Sequence, residues 1–378
     1  MNLLLSEEQK LIQKTIHGIA KEHVEPSQLR VYRDGKDARG YSTAFWKKMS
    51  EEGWVGLMVP ESEGGLGLGL TEMTLCLEAI GARLSPEPFL STALLAVDTF
   101  ERDQNKERSS QWLKRLATGD AVVSWAHDER RSRYERRPKD VRLEKKGDQL
   151  VLNGEKVNVI DGHIADGYFV SVKDSSHEDA HFSIVFIDAS TEGLTRQRQW
   201  RMDGRNAATV AFQDVLVSEG DFVSPKQGGG PILEAVFDRA TIGHCSEMLG
   251  GMNEAFQMTM DYLRTRMQFG SPIGSFQALQ HRSARMFQSI AIARVSILAA
   301  AKEADRTDSK TSEMASMAKV LTGDAYMQIA NEAIQMHGGI GMTDEHSVGW
   351  YLKRARADQS LFGDPSWHRN RWASLRGY

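Results

Sequence analysis

The sequence predicts an α+β chain whose sheet lies in the middle, flanked by helices on both sides. Three observations predict it. Apolar residues recur at helical spacing over residues 1–118, alternate over 119–226, and return to helical spacing over 227–378. No long helical pattern interrupts the middle segment, so its sheet is expected to be antiparallel, a small barrel or sandwich. The long helices that follow are expected to form a four-helix bundle. At 378 residues the chain exceeds the size at which one core keeps growing, so two or three cores fit its length.

The N-terminal helical segment opens with Ser6, an N-cap residue, before the acidic pair Glu7 and Glu8. Leu11, Ile12, Ile16 and Ile19 continue the pattern. The run Pro60-Glu61-Ser62-Glu63-Gly64-Gly65-Leu66-Gly67 breaks it. Its glycines lack the spacing of a dinucleotide fingerprint, so it reads as a turn between helices. A helix resumes over 71–84, with Met73, Leu75, Cys76, Ala79 and Ile80 on one side. In the middle segment, Leu150-Val151-Leu152 is a strand, Asn153-Gly154 a hairpin signal, and Val157 and Val159 the return. Further strands are expected over 168–173, 181–187 and 208–217. Gln227 to Pro231 reads as a linker. Two stripes then follow: Cys245, Met248, Met252, Phe256, Met260, Leu263, and Met314, Met317, Leu321, Ala325, Ile329. Both are expected to be buried core.

Composition narrows the function. Hydrophobic residues are 40% and charged residues 26%, ordinary for a water-soluble chain. No uninterrupted run of about 18 apolar residues occurs, which argues against a membrane span. The opening residues lack the basic stretch of a signal peptide. A formal charge of -4 argues against nucleic acid as a partner. Two cysteines are too few for a disulfide framework or a thiolate metal site, and a cytoplasmic location is the expectation. No metal is expected, because His281 and His337 lack a second ligand at helical spacing; both read as satisfied polar contacts.

Two segments carry chemistry. In the first, a helix ends near Gly270 with Arg264 and Arg266 in its last turn, a Pro/Gly turn follows, and a new helix starts near Phe276. A guanidinium here can grip a phosphate bidentately, and the new helix presents its N-terminal amides. In the second, Gln335-Met336-His337-Gly338-Gly339-Ile340-Gly341 ends a helix in glycines that permit close backbone approach. Together they read as a site for a phosphate-bearing cofactor. Either alone reads as a plain helix hairpin.

The pair Arg266-x-Gln268-Phe269-Gly270 and Gln335-x-x-Gly338-Gly339-x-Gly341, with Phe276-Gln277 and the loop at Pro60–Gly67, resembles the acyl-CoA dehydrogenases. The resemblance spans nearly the whole chain. Arg133-Tyr134, Asp203-Gly204-Arg205 and Phe362-Gly363-Asp364 resemble the small-subunit type, such as the pimeloyl-CoA dehydrogenase small subunit. It implies FAD, an acyl-CoA substrate in lipid β-oxidation, electron delivery to an electron-transfer flavoprotein, and a homo- or hetero-oligomer. It also implies that Arg266, Gln268, Phe269, Gln277, Gln335, Gly338 and Gly339 serve FAD across a subunit interface.

Several positions depart from the family pattern. The family's catalytic glutamate falls on Gly363, and its alternative base position on Ala240. Asp364 and Asp238 are the nearest carboxylates in sequence, and Asp364 reads more readily as a loop cap. The family's own-side flavin segment is replaced by Trp125 to Arg133, and its flavin wall by Asn158-Val159-Ile160. The chain therefore keeps the half-site that reaches a neighbour and loses much of the half-site for its own flavin ring. Three expectations follow: a small subunit of a heteromeric dehydrogenase that completes FAD in a partner, a self-sufficient homo-oligomer using Asp364 or another carboxylate, or a scaffold without flavin. The basic run Arg130 to Lys139 reads as a solvated face before it reads as a steering patch for CoA phosphates.

Overall fold

The computed structural model describes residues 3–174, 182–306 and 310–378. His181, which opens the strand expected over 181–187, lies outside them. The elements run α1 (Glu7–His23), α2 (Gln28–Gly35), α3 (Thr43–Glu51), α4 (Leu70–Ala82), α5 (Val97–Glu101), α6 (Lys106–Ala117), then β1 (Val123–Ala126), β2 (Arg142–Lys146), β3 (Gln149–Ile160), β4 (Gly167–Asp174), β5 (Phe182–Asp188), β6 (Leu194–Gln199) and β7 (Ala207–Val217). After these come α7 (Gly229–Thr265), a small hairpin of β8 (Met267–Gln268) and β9 (Ser271–Pro272), α8 (Gln277–Ala304), α9 (Thr311–His337), α10 (Val348–Ser360) and α11 (Pro365–Leu375). The backbone gathers into two compact units, each discontinuous in sequence. One holds 1–34, 70–85 and 241–378, and the other 35–69 and 86–240.

The sheet-bearing unit has strand order β1-β4-β2-β3-β7-β6, with β5 on β4. The sheet is mixed, which corrects the antiparallel expectation: β4 pairs in parallel with both β1 and β2. Strand pairing here does not follow chain order, which alternation alone does not reveal. β4 shows why the core sits where it does. Tyr168, Val170 and Val172 join one apolar cluster with Leu152, Val185, Val210 and Phe212. Phe169 faces the other way, 4.6 Å from Phe100 and 5.7 Å from Trp125 by ring centroid, as the period of two requires.

Asn153-Gly154 is not a hairpin turn. It lies inside β3, where the register with β7 slips between Leu152 and Gly154. Gly154 takes φ +127°, and a Cβ there would lie 3.0 Å from the Val141 backbone, so the glycine marks a bulge. The β2–β3 turn is instead made at Gly147, φ +62°. The stretch before it from Leu90 to Ala96 is a fully buried π-helical turn running into α5.

In the helical unit, α1 starts as expected. Ser6 and Gln9 form a reciprocal capping box. Ile16 is buried, while Leu11 is 66% exposed. Buried residues surround α4 on nearly all sides, not one. The linker expected at 227–231 is shorter, because Gly229, Gly230 and Pro231 form the first turn of α7, where proline loses no hydrogen bond. Along α7 the stripe Cys245, Met248, Met252, Leu263 is buried and Phe256 and Met260 half-buried. On α9, Ala325 and Ile329 of the expected stripe are buried, but Met314, Met317 and Leu321 are only half-buried, and Ala315, Ala318, Lys319, Thr322 and Tyr326 turn inward beside them. α8 is long and apolar enough, by length and composition alone, to cross a bilayer. Its Met286, Ile290, Ala293 and Ile297 are buried in the bundle, where it packs on α9 and α4.

Candidate functional site

The C-terminal end of α7 and that of α9 are held together in the helical unit. The Tyr262 ring stacks on His337 at 4.6 Å, and His337 Nδ1 lies 2.7 Å from the Ala333 carbonyl oxygen. His337 thus makes the polar contact its sequence suggests through Nδ1 alone, its buried Nε2 having no hydrogen-bond partner among the described residues, whereas His281 is exposed. Beyond Tyr262 the chain turns through β8 and β9, and Ile273 N–H donates to the Arg266 carbonyl at 2.9 Å. The two turn residues, Phe269 and Gly270, both have positive φ, +52° and +79°. That is the two-residue hairpin turn favoured by strand twist, and a phenylalanine adopts it only at some cost. Its ring is 91% exposed. Phe276 packs edge-on against it at 5.9 Å.

The side chains of Arg266, Gln268, Gln277 and Gln335 are all exposed, and Gly338 and Gly339 with them. Among the described residues none of these four polar side chains bonds to another part of the chain. Arg264, two residues away, differs: it pairs with Asp261 at 3.1 Å. Gly338 needs its freedom for φ +64°. Gly339 does not, and a Cβ on it would meet nothing within 4 Å. Nothing inside the chain calls for glycine at 339, which fits close approach by something outside it. An unpaired guanidinium, three free carboxamides and an open glycine corner suit a dinucleotide: the first for a pyrophosphate, the others for its polar edges. The residues present therefore fit the outer half of an FAD site.

The stretch that replaces the own-side flavin segment is built differently. In the sheet-bearing unit, Lys156 on β3 is fully buried, and its Nζ lies 2.8 Å from Glu129 Oε1 and 2.9 Å from the His127 carbonyl oxygen. The Glu129 carboxylate also accepts the backbone N–H groups of Lys139, Asp140 and Val141 at 2.7, 2.8 and 3.0 Å. His127 contacts Ser171 Oγ and the Glu135 carbonyl oxygen, both at 2.8 Å. The Trp125 indole N–H donates to Thr99 Oγ1 at 2.8 Å. These polar groups are spent on one another, and Glu129 folds residues 130–141 back over them. Burial drives the Lys156 ammonium down to about 8 against the pull of Glu129. Burial raises the Glu129 carboxyl, but Lys156 and the backbone donors outweigh it and hold it below its ordinary range. Burial also pushes Asp128 up to about 6, against Lys156 and Arg136. Asn158 holds φ +52°, and Val159 and Ile160 are buried.

Parts of the basic run 130–139 are neutralised within the unit. Arg130 pairs with Glu155 at 2.7 Å, Arg136 with Asp238 at 3.4 Å, and Lys139 with Glu135. Arg130, Arg131, Arg133, Arg137 and Lys139 are exposed, as expected of a solvated face, and Arg136 alone of the six basic residues is half-buried.

No carboxylate stands at either base position suggested by resemblance. Ala240 is fully buried. Asp238 is buried beside Arg136. Asp364 is the N-cap of α11, accepting Trp367 N–H at 2.8 Å, with Pro365 at the first helical position. Gly363 has φ +116°, and a Cβ there would lie 2.6 Å from Trp367 Cε3 and 2.9 Å from His368 Nε2. Gly363→Glu is therefore expected to give no dehydrogenation by this chain and to lower its stability by about 1–3 kcal/mol from backbone strain alone. A melting curve and an assay with an artificial electron acceptor check both halves. Gained turnover at unchanged stability defeats the prediction.

Sequence reasoning missed the buried Glu129–Lys156 pair and a second cluster, His244, Glu247, Lys319, Arg354 and Asp358, each at most 3% exposed. A signal for the second existed: Lys319 falls at helical spacing with Ala315, Thr322 and Tyr326, so a charge sat inside a core stripe.

Three domain models of one family match the chain: acyl-CoA dehydrogenase N-terminal domain over 6–120, middle domain over 136–215 and C-terminal domain over 227–374. The chain is 28% identical to acyl-CoA dehydrogenase IpdE2 of Mycolicibacterium smegmatis over 365 residues, 96% of each. It is 26% identical to mitochondrial isovaleryl-CoA dehydrogenase of Pongo abelii, covering 93% of this chain and 84% of that one. Its fold matches the ChsE4-ChsE5 complex of Mycobacterium tuberculosis with TM-score 0.89 at 22% identity, over 100% of both chains. It matches butyryl-CoA dehydrogenase of Megasphaera elsdenii with TM-score 0.91 at 22% identity, again over 100% of both.

Proposed function

The chain belongs to the acyl-CoA dehydrogenase family, FAD-linked oxidoreductases acting on acyl-CoA, and from that premise we propose that it is the small subunit of a heteromeric member, completing the FAD site of a related chain that carries the base. One observation carries this: among the described residues Arg266, Gln268, Gln277 and Gln335 are exposed with no side-chain partner, while Glu129, in the stretch that replaces the family's own-side flavin segment, is spent on Lys156. The exposed Phe269, at 91%, and Met342, at 78%, near these donors also call for a covering surface. Bound FAD supplies the hydride acceptor. This chain's contribution is to grip and orient it: Arg266 toward the pyrophosphate, Gln335 and the Gly338–Gly339 corner against its polar edges. The α-proton of the acyl-CoA is taken by the related chain, and electrons pass on to an electron-transfer flavoprotein. That the ChsE4-ChsE5 neighbour is solved as a complex of two different chains accords with this arrangement.

FAD content tests the proposal. The chain purified alone is expected to be colourless, and the chain purified with a related, glutamate-bearing chain to hold one FAD per pair. Full FAD occupancy with acyl-CoA turnover by the chain alone overturns it, and makes the protein a self-sufficient homo-oligomer.

A further inference from the structure

Arg266 and the glycine corner follow the ends of two different helices. A ligand gripped by both needs their spacing held to within about 0.5 Å. One contact joins the two helix ends. Tyr262 of α7 sets its ring 4.6 Å from the His337 ring of α9, with the planes 29° apart. Each ring is tied through the backbone to one of the outward groups. Arg266 N–H donates to the Tyr262 carbonyl at 2.8 Å, one helical turn on. His337 directly precedes Gly338, whose N–H closes the end of α9 on the Ile334 and Gln335 carbonyls. The glycine turn also folds back on His337, for a Cβ on Gly341 would lie 3.0 Å from His337 Cβ.

The His337 ring is held at a definite angle. It is 2% exposed, and with a carbonyl oxygen 2.7 Å away at Ala333, Nδ1 carries the proton. Nε2 is left as a buried acceptor without a partner, a cost that a phenyl ring would avoid. What the imidazole adds over phenyl is the bond to Ala333, which fixes the ring plane that Tyr262 stacks on. His346 packs on His337 too, at 4.6 Å and 51°, and is itself fixed, its Nδ1 accepting Val348 N–H at 3.2 Å. Tyr262 is half-buried, and among the described residues its hydroxyl has no hydrogen-bond partner. The ring, not the hydroxyl, makes the contact.

We propose that Tyr262 and His337 are the positioning pair of the FAD half-site. Their stack sets Arg266 against the Gly338–Gly339 corner, so that one dinucleotide meets both. The proposal rests on the subunit reading above and names what preorganises its grip. Both rings act through residues 266 and 338.

The test titrates FAD, by flavin fluorescence, into the FAD-free assembly of this chain with its related chain. Tyr262→Leu is expected to weaken FAD binding about 3- to 10-fold, the worth of one ring stack. Tyr262→Phe keeps the ring and should stay within about two-fold of wild type. In an Arg266→Ala background the step from Tyr262 to Leu should cost less than about two-fold, because the group it positions is gone. A merely structural role gives the same loss in both backgrounds. Should Tyr262→Leu fail to assemble, Tyr262→Gln carries the same readouts. Equal loss in both backgrounds, or equal loss for Tyr262→Leu and Tyr262→Phe, overturns the positioning role. So does wild-type affinity in Tyr262→Leu where Arg266→Ala weakens FAD, and in each of these cases the subunit reading stands. Wild-type affinity in both Arg266→Ala and Tyr262→Leu removes the FAD half-site itself, and the subunit reading with it.

Discussion

Replacing Arg266 with alanine is expected to weaken FAD binding by the assembled protein about 10- to 100-fold, the loss of a charge-assisted contact worth about 1.5–3 kcal/mol. The side chain is exposed and makes no bond to any other described residue of its own chain. The melting transition of the isolated chain should therefore hold within about 0.5 kcal/mol. Arg264 supplies the control. It is equally cationic and two residues away, but it is paired with Asp261, so Arg264→Ala should change FAD affinity by less than about 1 kcal/mol. Flavin fluorescence titration reads both. Equal losses for the two variants would mean that only general positive charge matters, and the assigned role of Arg266 would fall. Raised salt should weaken the wild-type contact and not the variant's, because screening acts on the guanidinium.

The largest stability effect is expected at Glu129. Glu129→Ala removes the partner of a buried ammonium and the acceptor of three backbone N–H groups. Breaking such a pair from one side costs about 3–5 kcal/mol. Glu129→Gln is the sharper probe, since it mimics the protonated carboxyl. The folded carboxyl sits below the ordinary value of 4.5. Its contribution is then present above that value and lost as pH falls through the folded pKa. The difference in unfolding free energy between wild type and Glu129→Gln should be full at neutral pH and shrink steadily below about pH 4.5. Lys156 gives a slope of the same sign at the alkaline end. Its folded value, about 8, lies below the ordinary 10.5, so the unfolded chain binds more protons between them and this group's contribution to stability rises with pH across that window. Denaturant titrations at several pH values check both signs. A pH-independent gap between wild type and Glu129→Gln would refute the account of this pair.

Much of the architecture was legible because it is periodic. The Ser6 cap, the helices around the stripe at Cys245 to Leu263, and the strands at 168–173 and 208–217 each rest on local spacing that no tertiary contact overrides. The hairpin at Asn153-Gly154 was not legible, because the same dipeptide serves a turn or a bulge, and the Val141 backbone pressed against Gly154 decides which. The parallel pairs of β4 depend on which strands meet across the chain, and alternation is silent on that. The outward donors were readable as a motif, for Arg266 and the glycines at 338 and 339 are short-range patterns. The buried clusters were not, since Glu129 and Lys156 are 27 residues apart in sequence and meet only through the sheet.

The backbone at position 363 has a bearing on how such a protein changes over generations. With φ at +116° and two bulky rings where a side chain would emerge, no single codon swap brings the acid back; Trp367, His368 and the torsion itself would have to move in concert. Losing the reactive group takes one step, whereas regaining it takes several that are each unhelpful alone. On the subunit reading proposed above, the backbone at 363 works as a ratchet against a return to independence.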